Sequence, residues 1–461
     1  MAGGNGLGDE GARAAATAMA EALTADDVEL VALTYIDHSG IARMKGVPVG
    51  RLADAAVWGV GMSPVFDAFL LDDSITASPS AGGPVGDLRL VPDLEQLVIL
   101  TAQPGWAWAP VDRWRQSGQR HPQCQRSFVR AMEARLADRG LDAKMAFEIE
   151  WMLSRGDGDA FDSATAGPAY GSTRTVELSD YCVDLVRTLA TEGIPVDQFH
   201  PEYAAGQFEL SIGAADPLTA ADRNVVARQT IKAVSQRHGM RATMSPVVVA
   251  GGVGNGMHLH MSLWRDGRSE SVGGSGPLAM TGCWEAFLAG VMQALPELLA
   301  ITAPTVASYL RLQPARWAGP FQCWGLENRE AALRLIAGPA GAGESAANAE
   351  LKVVDAAASP YLVVGAVLAA GMSGLDRGLD LPPGIDVDPA SLPEDDLDRR
   401  GVKRLPTTLG EATDRFDASE MLLDALGSEL HETIVAVRRA ECSLLEGRSE
   451  DEIVEATRWA H

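Results

Sequence analysis

Glu148 and Glu150 flank a single isoleucine in the run KMAFEIEWML at 144–153. Residues two apart on a strand share a face, so this stretch aims two carboxylates at one spot. Holding two like charges side by side in an apolar setting is costly unless something positive sits between them. The pair has company. HPEYAAGQFELSIG supplies Glu202 and Glu209, GMHLHMSLW supplies His258 and His260, and NAELKVVD supplies Glu350. A lone Glu on a strand is usually a solvated side chain, and a lone E-x-E or H-x-H is weak evidence. The weight lies in several such elements in an ordered array. Carboxylates with one or two imidazoles suit Mg²⁺ or Mn²⁺, whereas zinc draws more His and Cys.

The opposite charge follows in YLRLQPARWAGPFQCWGLENREAALRL, with Arg311, Arg316, Arg329 and Arg334. Arginines beside metal-binding carboxylates suit phosphoryl transfer, where negative charge spreads over oxygens. Surface ion pairing is an equal explanation for Arg316 and a weaker one for the other three. No GxxxxGK[ST] is present, so a P-loop does not hold the nucleotide. The Gly-rich AGPAGAGES at 337–345 reads as a flexible loop.

These groups need rigid elements to position them. The 461 residues suffice for two to four domains. Residues 1–10 are Gly-rich and expected to be disordered. A helix is expected over 12–23, then two strands around a turn at His38–Gly40, and further short strands to about 110. This reads as a small β-rich domain with little core of its own, bounded at 11–118. From 119 to 461 helices alternate with alternating-pattern strands. The class is α+β, an antiparallel-rich sheet backed by helices. The 356–375 run reads as a buried helix, and 381–400, rich in Pro and Asp, as a surface loop.

A net charge of −24 argues against a nucleic-acid or anionic-membrane partner. Five scattered cysteines without CxxC spacing fit a reducing cytoplasm. The N-terminus lacks the basic and apolar regions of a signal peptide.

In order and in register, these motifs resemble the glutamine synthetase family. The carriers are FEIEWML, HPEYAAGQFEL, GNGMHLHMSL, SYLRLQP with ENREAALRL, and ELKVVDAAASPYL. The resemblance implies an N-terminal β-grasp domain, a catalytic domain, and active sites between subunits of a dodecamer of two hexameric rings. By it, Glu150, Glu202 and Glu209 hold one metal, and Glu148, His258 and Glu350 the other. Arg311 and Gly254 contact substrate glutamate. Arg329 and Arg334 contact phosphates, and His260 and Ser262 contact the nucleotide. ATP would phosphorylate the γ-carboxylate of glutamate, and an amine would then displace phosphate to give an amide.

Several positions depart from the pattern. The family collects ammonium with an Asp in the N-terminal domain and a Glu in the R-L-x-P-x-x-E-A-P loop. Val60 stands at the first position, with Ser63 kept, and Trp317 at the second. An indole offers a face to an alkylammonium, worth roughly 0.5–2 kcal/mol. The resemblance is therefore strongest to the branch that joins glutamate to polyamines. Lys352, a candidate substrate contact, replaces an Arg, keeping the charge but losing its bidentate fork. Val253 stands where many members have Asn, so the first substrate could be a relative of glutamate. Glu327 and Asp67 are candidates for deprotonating the amine. LDRGLDLPPG lacks the Tyr that some members adenylylate. Rival readings are an ammonium-using glutamine synthetase, a non-catalytic structural or regulatory homologue, and a guanidino-kinase-like phosphotransferase.

Overall fold

The computed structural model describes residues 7–80 and 82–461. Residues 1–6 of the expected disordered tail lie outside that range. Residues 7–10 are ordered: Gly8 N–H donates to Val57 O at 2.7 Å, and the helix Gly11–Ala25 follows.

The N-terminal section folds around a six-stranded mixed sheet. Its spine runs Ala42–Pro48, Leu30–Ile36, Trp106–Arg115, Leu88–Pro92, Val60–Met62, and Val98–Ile99 pairs with Trp106–Arg115. Leu30–Ile36 and Ala42–Pro48 form the hairpin expected around His38–Gly40. The expectation of little core is corrected. Leu23, Val31, Leu33, Leu52, Leu90, Ala107 and Val111 pack into an apolar cluster of their own. Alternation along Leu30–Ile36 supplies Val31, Leu33 and Tyr35 on one face.

The larger section carries a ten-stranded sheet. Its order is Lys403–Arg404, Phe321–Leu326, Ala331–Ile336, Asn348–Leu351, Met257–Arg265, Asp142–Arg155, Gln207–Ile212, Val196–Pro201, with Met240–Thr243 pairing Asp142–Arg155 and Arg268–Ser269 pairing Met257–Arg265 off this path. All the pairings are antiparallel except Phe321–Leu326 with Ala331–Ile336. The stretch 196–212 after the helix Ser179–Thr191 is a hairpin of Val196–Pro201 and Gln207–Ile212. Gly206, at φ +72°, makes its turn: a Cβ there would sit 2.8 Å from Leu153 O.

The two faces of this sheet differ in chemistry. Phe147, Ile149, Trp151, Leu259, Leu333 and Leu351 point into the main core. Behind them lie the helices Pro217–Arg237, Gly282–Thr302 and Pro360–Arg377. The last two cross closely: a Cβ on Gly290 would meet Ala370 O at 2.3 Å, and one on Gly374 would meet Ala286 O at 2.1 Å. Gly282–Thr302 is apolar enough to cross a membrane, yet 78% of that stretch is buried in this core. The helix within 356–375 starts only at Pro360, where proline suits the first turn. The expected loop at 381–400 buries Ile385 and ends in the helix Glu394–Arg400, whose acidic first turn and basic last turn match the helix dipole.

Candidate active site

The strand register assembles the other face. Glu148 lies opposite His258, and Glu150 opposite Glu209, which lies opposite His200. His260 lies opposite Glu350, which lies opposite Arg334. Directly paired residues project to the same side. One continuous face therefore carries four carboxylates, three imidazoles and a guanidinium. It forms the floor of a cleft of about 830 Å³, whose walls include Tyr170, Tyr203, Gly254, Arg311, Trp317, Arg329 and Lys352.

Glu148, His258 and Glu350 bring ligand atoms within 4.8 Å of one another, the triad implied by the resemblance. The second implied triad is not gathered as one group among the described residues. Glu209 instead belongs to two groups, Glu150–Glu209–His258 and His200–Glu202–Glu209. Local hydrogen bonds separate Glu150 from Glu202. Glu150 Oε2 accepts from Gln207 Nε2 at 3.0 Å and from Gly256 N–H at 2.9 Å. Glu202 Oε2 instead accepts from Tyr203 N–H at 2.9 Å. Gly256 must be glycine, because a Cβ would fall 2.5 Å from His258 Nε2 and 2.7 Å from Arg311 Nη2.

The electrostatics fit a cation. Burial raises Glu209 to about 8, helped by repulsion from Glu148, Glu150 and Glu202 and opposed by His200. Burial and Glu150 raise Glu202. The hydrogen bond to Glu209 lifts His200 to about 9. Burial disfavours ionised Glu148, yet the bonds to His258 and His260 outweigh it and hold the carboxyl well below its usual range. The face thus carries more acid than its imidazoles neutralise. The donor set of oxygens with one or two imidazoles suits Mg²⁺ or Mn²⁺.

Glu350 is gripped at both oxygens, by Lys352 Nζ at 2.9 Å and Arg334 Nη1 at 3.0 Å. Lys352 is thereby committed to a carboxylate of the chain itself. Arg311 reaches His258 Nε2 at 3.2 Å, while its Nη1 is buried without a partner. Gly254 packs beneath it, since a Cβ would meet Arg311 Cγ at 2.7 Å. Arg329 is exposed and enters no ion pair among the described residues. His260 Nδ1 donates to Asn348 Oδ1 at 2.9 Å. It also borders an adjoining cleft of about 410 Å³ that shares Glu148 with the first and is lined by Ser262, Lys144 and Trp264.

Three sequence candidates, and Val60 at the position of the family's Asp, fall elsewhere. Ser63 does not line the cleft of its own chain. Its Oγ accepts from Val65 N–H and caps the short helix Pro64–Ala68. Val60 pairs with Leu90 in the N-terminal sheet. Asp67 is buried against Arg113 at 2.5 Å and His121 at 3.0 Å, so it is a structural ion pair. Glu327 is taken by Arg334 Nη2 at 2.6 Å.

The structure also adds residues. His200 was visible in the alternation of Val196–Pro201. Gln207 bonds Glu150, Gly254 O and Asn255. Tyr170 and Trp317 hold left-handed backbone at φ +56° and +53°, a conformation that costs a non-glycine residue energy and marks sites where structure enforces it. Buried Arg174 donates to the carbonyls of Gly167, Glu202, Tyr203 and Ala204, fixing both tyrosine segments. No spacing in the sequence pointed to it.

A glutamine synthetase catalytic-domain family model matches residues 122–456, and a glutamine synthetase N-terminal-domain model matches 14–119. The chain is 52% identical over 449 residues to gamma-glutamylpolyamine synthetase GlnA3 of Streptomyces coelicolor, covering 97% of this chain and 96% of that one. It is 28% identical to glutamine synthetase of Halobacterium salinarum, covering 92% of each. A solved glutamine synthase homolog superposes with a TM-score of 0.84 at 33% identity, covering 94% of this chain and 99% of that one. A GmaS/ADP complex superposes at 0.81 and 29% identity, covering 93% and 96%. The paired carboxylates, the imidazole strand and both domains thus have one source: the chain belongs to the glutamine synthetase family.

Proposed function

We propose that the protein is an ATP-dependent ligase that couples the γ-carboxylate of glutamate to an organic amine, a polyamine above all, forming a γ-glutamylamide, ADP and phosphate. The observation that carries this is the exposed indole of Trp317 on the cleft wall, where the family's ammonium-collecting carboxylate stands, above a carboxylate face that is otherwise retained. The identity with a gamma-glutamylpolyamine synthetase supports the same acceptor class.

The γ-carboxylate oxygen attacks the γ-phosphorus of ATP, and ADP leaves. The amine nitrogen, having lost a proton, then attacks the acyl carbon, and the C–O bond to phosphate breaks. Two or more bound divalent cations would offset the repulsion between the phosphates and the substrate carboxylate. Glu148, His258 and Glu350 would hold one, with Glu150, Glu202, Glu209 and His200 around another. Arg311, whose Nη1 is unpartnered and whose stem packs on Gly254, would grip glutamate. Arg329 and Arg334 would lie on the transferring phosphate, and His260 and Ser262 beside the nucleotide. Trp317, Tyr170 and Tyr203 would face the amine and exclude water.

The assembly would be a dodecamer of two rings in the cytoplasm. The position of Ser63 away from its own cleft suits a role in a neighbouring copy's site. The test is phosphate release with ATP, Mg²⁺ and glutamate against ammonium, ethanolamine, putrescine, cadaverine, spermidine and spermine, with products identified by mass. Formation of γ-glutamylpolyamine with little glutamine is expected. Glutamine alone would overturn the acceptor assignment, and silence with every amine would overturn the ligase.

A further inference from the structure

A second cavity, of about 610 Å³, lies between the N-terminal hairpin and the helix Pro217–Arg237. None of its lining residues belongs to the catalytic cleft. Its wall carries Arg228, Lys232, Arg237 and His461, and no Asp or Glu side chain lines it. In a chain of net charge −24, with 62 acidic residues, such a concentration of cations needs a cause.

Arg228 is the centre of it. The side chain is only 8% exposed, it enters no salt bridge among the described residues, and its Nη1 has no hydrogen-bond partner. Its one contact is Nη2 to Gly40 O at a long 3.5 Å. Burial holds the guanidinium down to about 10, and buried Asp355 relieves this only in part. A buried cation lacking its partner costs several kcal/mol, and proteins rarely leave one without reason. His461, 2% exposed, adds two ring nitrogens without partners on the same wall.

The opposite wall is apolar. Ile36, Ile41, Met44 and Trp106 line it, and Met44 is 45% exposed. One side of the cavity thus suits an anionic head and the other a flat or apolar body. The volume is within the range of small-ligand pockets.

We propose that this cavity is a binding site, separate from the catalytic cleft, for a phosphate monoester with an apolar or aromatic body, of the size of a nucleoside monophosphate. The phosphate pairs with Arg228 and Lys232, and the body rests on Trp106 and Met44. Guanidinium and ammonium groups together favour phosphate through charge-assisted hydrogen bonds.

The test uses the full chain with its catalytic cleft saturated by ADP and Mg²⁺, titrated calorimetrically with AMP. The expected result is one further equivalent of AMP per chain. The double variant Lys232→Glu/Arg237→Glu changes two exposed helix residues and is expected to weaken that equivalent at least tenfold, leaving amine-dependent phosphate release without AMP unchanged. Arg228→Gln is expected to weaken it similarly. Absence of a further equivalent, or one insensitive to both variants, would overturn the site. Ribose 5-phosphate serves as the control for the apolar wall. Weaker binding than AMP is expected, and equal binding would overturn the role given to Trp106 and Met44.

Discussion

The backbone N–H of Trp317 donates to Glu330 Oε1 at 2.8 Å. Glu330 is 6% exposed, and its Oε2 has no partner. The one carboxylate on this stretch that is left near the acceptor wall thus works from beneath, holding the indole's loop in its left-handed turn. Glu330→Ala removes a charge-assisted bond worth about 1.5–3 kcal/mol. The amine KM is expected to rise about tenfold, in line with ~1.4 kcal/mol per factor of ten, while the glutamate KM stays near wild type. Steady-state kinetics with each substrate varied in turn reads both.

Trp317→Glu restores an anion at the cleft mouth and removes the aromatic face. Organic-amine kcat/KM is expected to fall about tenfold, the scale of one cation–π contact, while ammonium use rises. Unaltered organic-amine kinetics would remove Trp317 from the acceptor site.

Arg174→Ala leaves the carbonyls of Gly167, Glu202, Tyr203 and Ala204 without their donor. A loss of about 2–4 kcal/mol in urea unfolding is expected. Faster amide exchange at 167–171 and 202–207 is expected with it. Arg174→Lys should not rescue, because an ammonium lacks the planar fork that spans four acceptors.

Removing divalent metal is expected to lower the Tm, because the carboxylates of Glu148, Glu150, Glu202 and Glu209 converge on one face. Adding Mg²⁺ should restore it. Glu148→Gln is expected to weaken Mg²⁺ binding at least tenfold, measured by titration of the Tm shift.

Glu441 and Asp37 predict a pH slope in stability away from the cleft. Burial raises Glu441 to about 7, with Asp37 adding repulsion and Arg438 and Ser39 opposing. Burial raises Asp37 to about 6 against Arg43. Both carboxyls bind protons more tightly folded than unfolded. Their contribution is therefore fully present below the ordinary carboxylate range and declines as pH rises through 4 to 7. Glu441→Gln, which can still accept from Ser39 Oγ, is expected to flatten this slope between pH 5 and 7 in denaturant titrations.

The alternation of Glu148 with Glu150 and of His258 with His260 was legible because period two on a strand fixes the face whatever the neighbouring strands are. Gly254 and the roles of Arg311, Arg329 and Arg334 came from the family resemblance of the same motifs. Other readings needed the fold. Asp67 looked free to move a proton until His38, His121 and Arg113 closed around it from segments far away in sequence. Glu327 looked similar until Arg334 captured it. The N-terminal core was underestimated because its apolar residues come from six short strands and two helices, none long enough to announce a core alone.

The sequence by itself determined which chemistry the chain carries: the carboxylates, imidazoles and arginines, their order, and the tryptophan that replaces a carboxylate. These depend on local period and residue type. The tertiary structure decided how those groups are shared. Strand pairing sets Glu209 between Glu150 and His200 and Arg334 beside Glu350, and the fold leaves Ser63 outside its own chain's cleft. The pairing of Glu150 with Glu209 joins strands distant along the chain, and a side chain's free valence is known only once every other donor and acceptor around it has been placed.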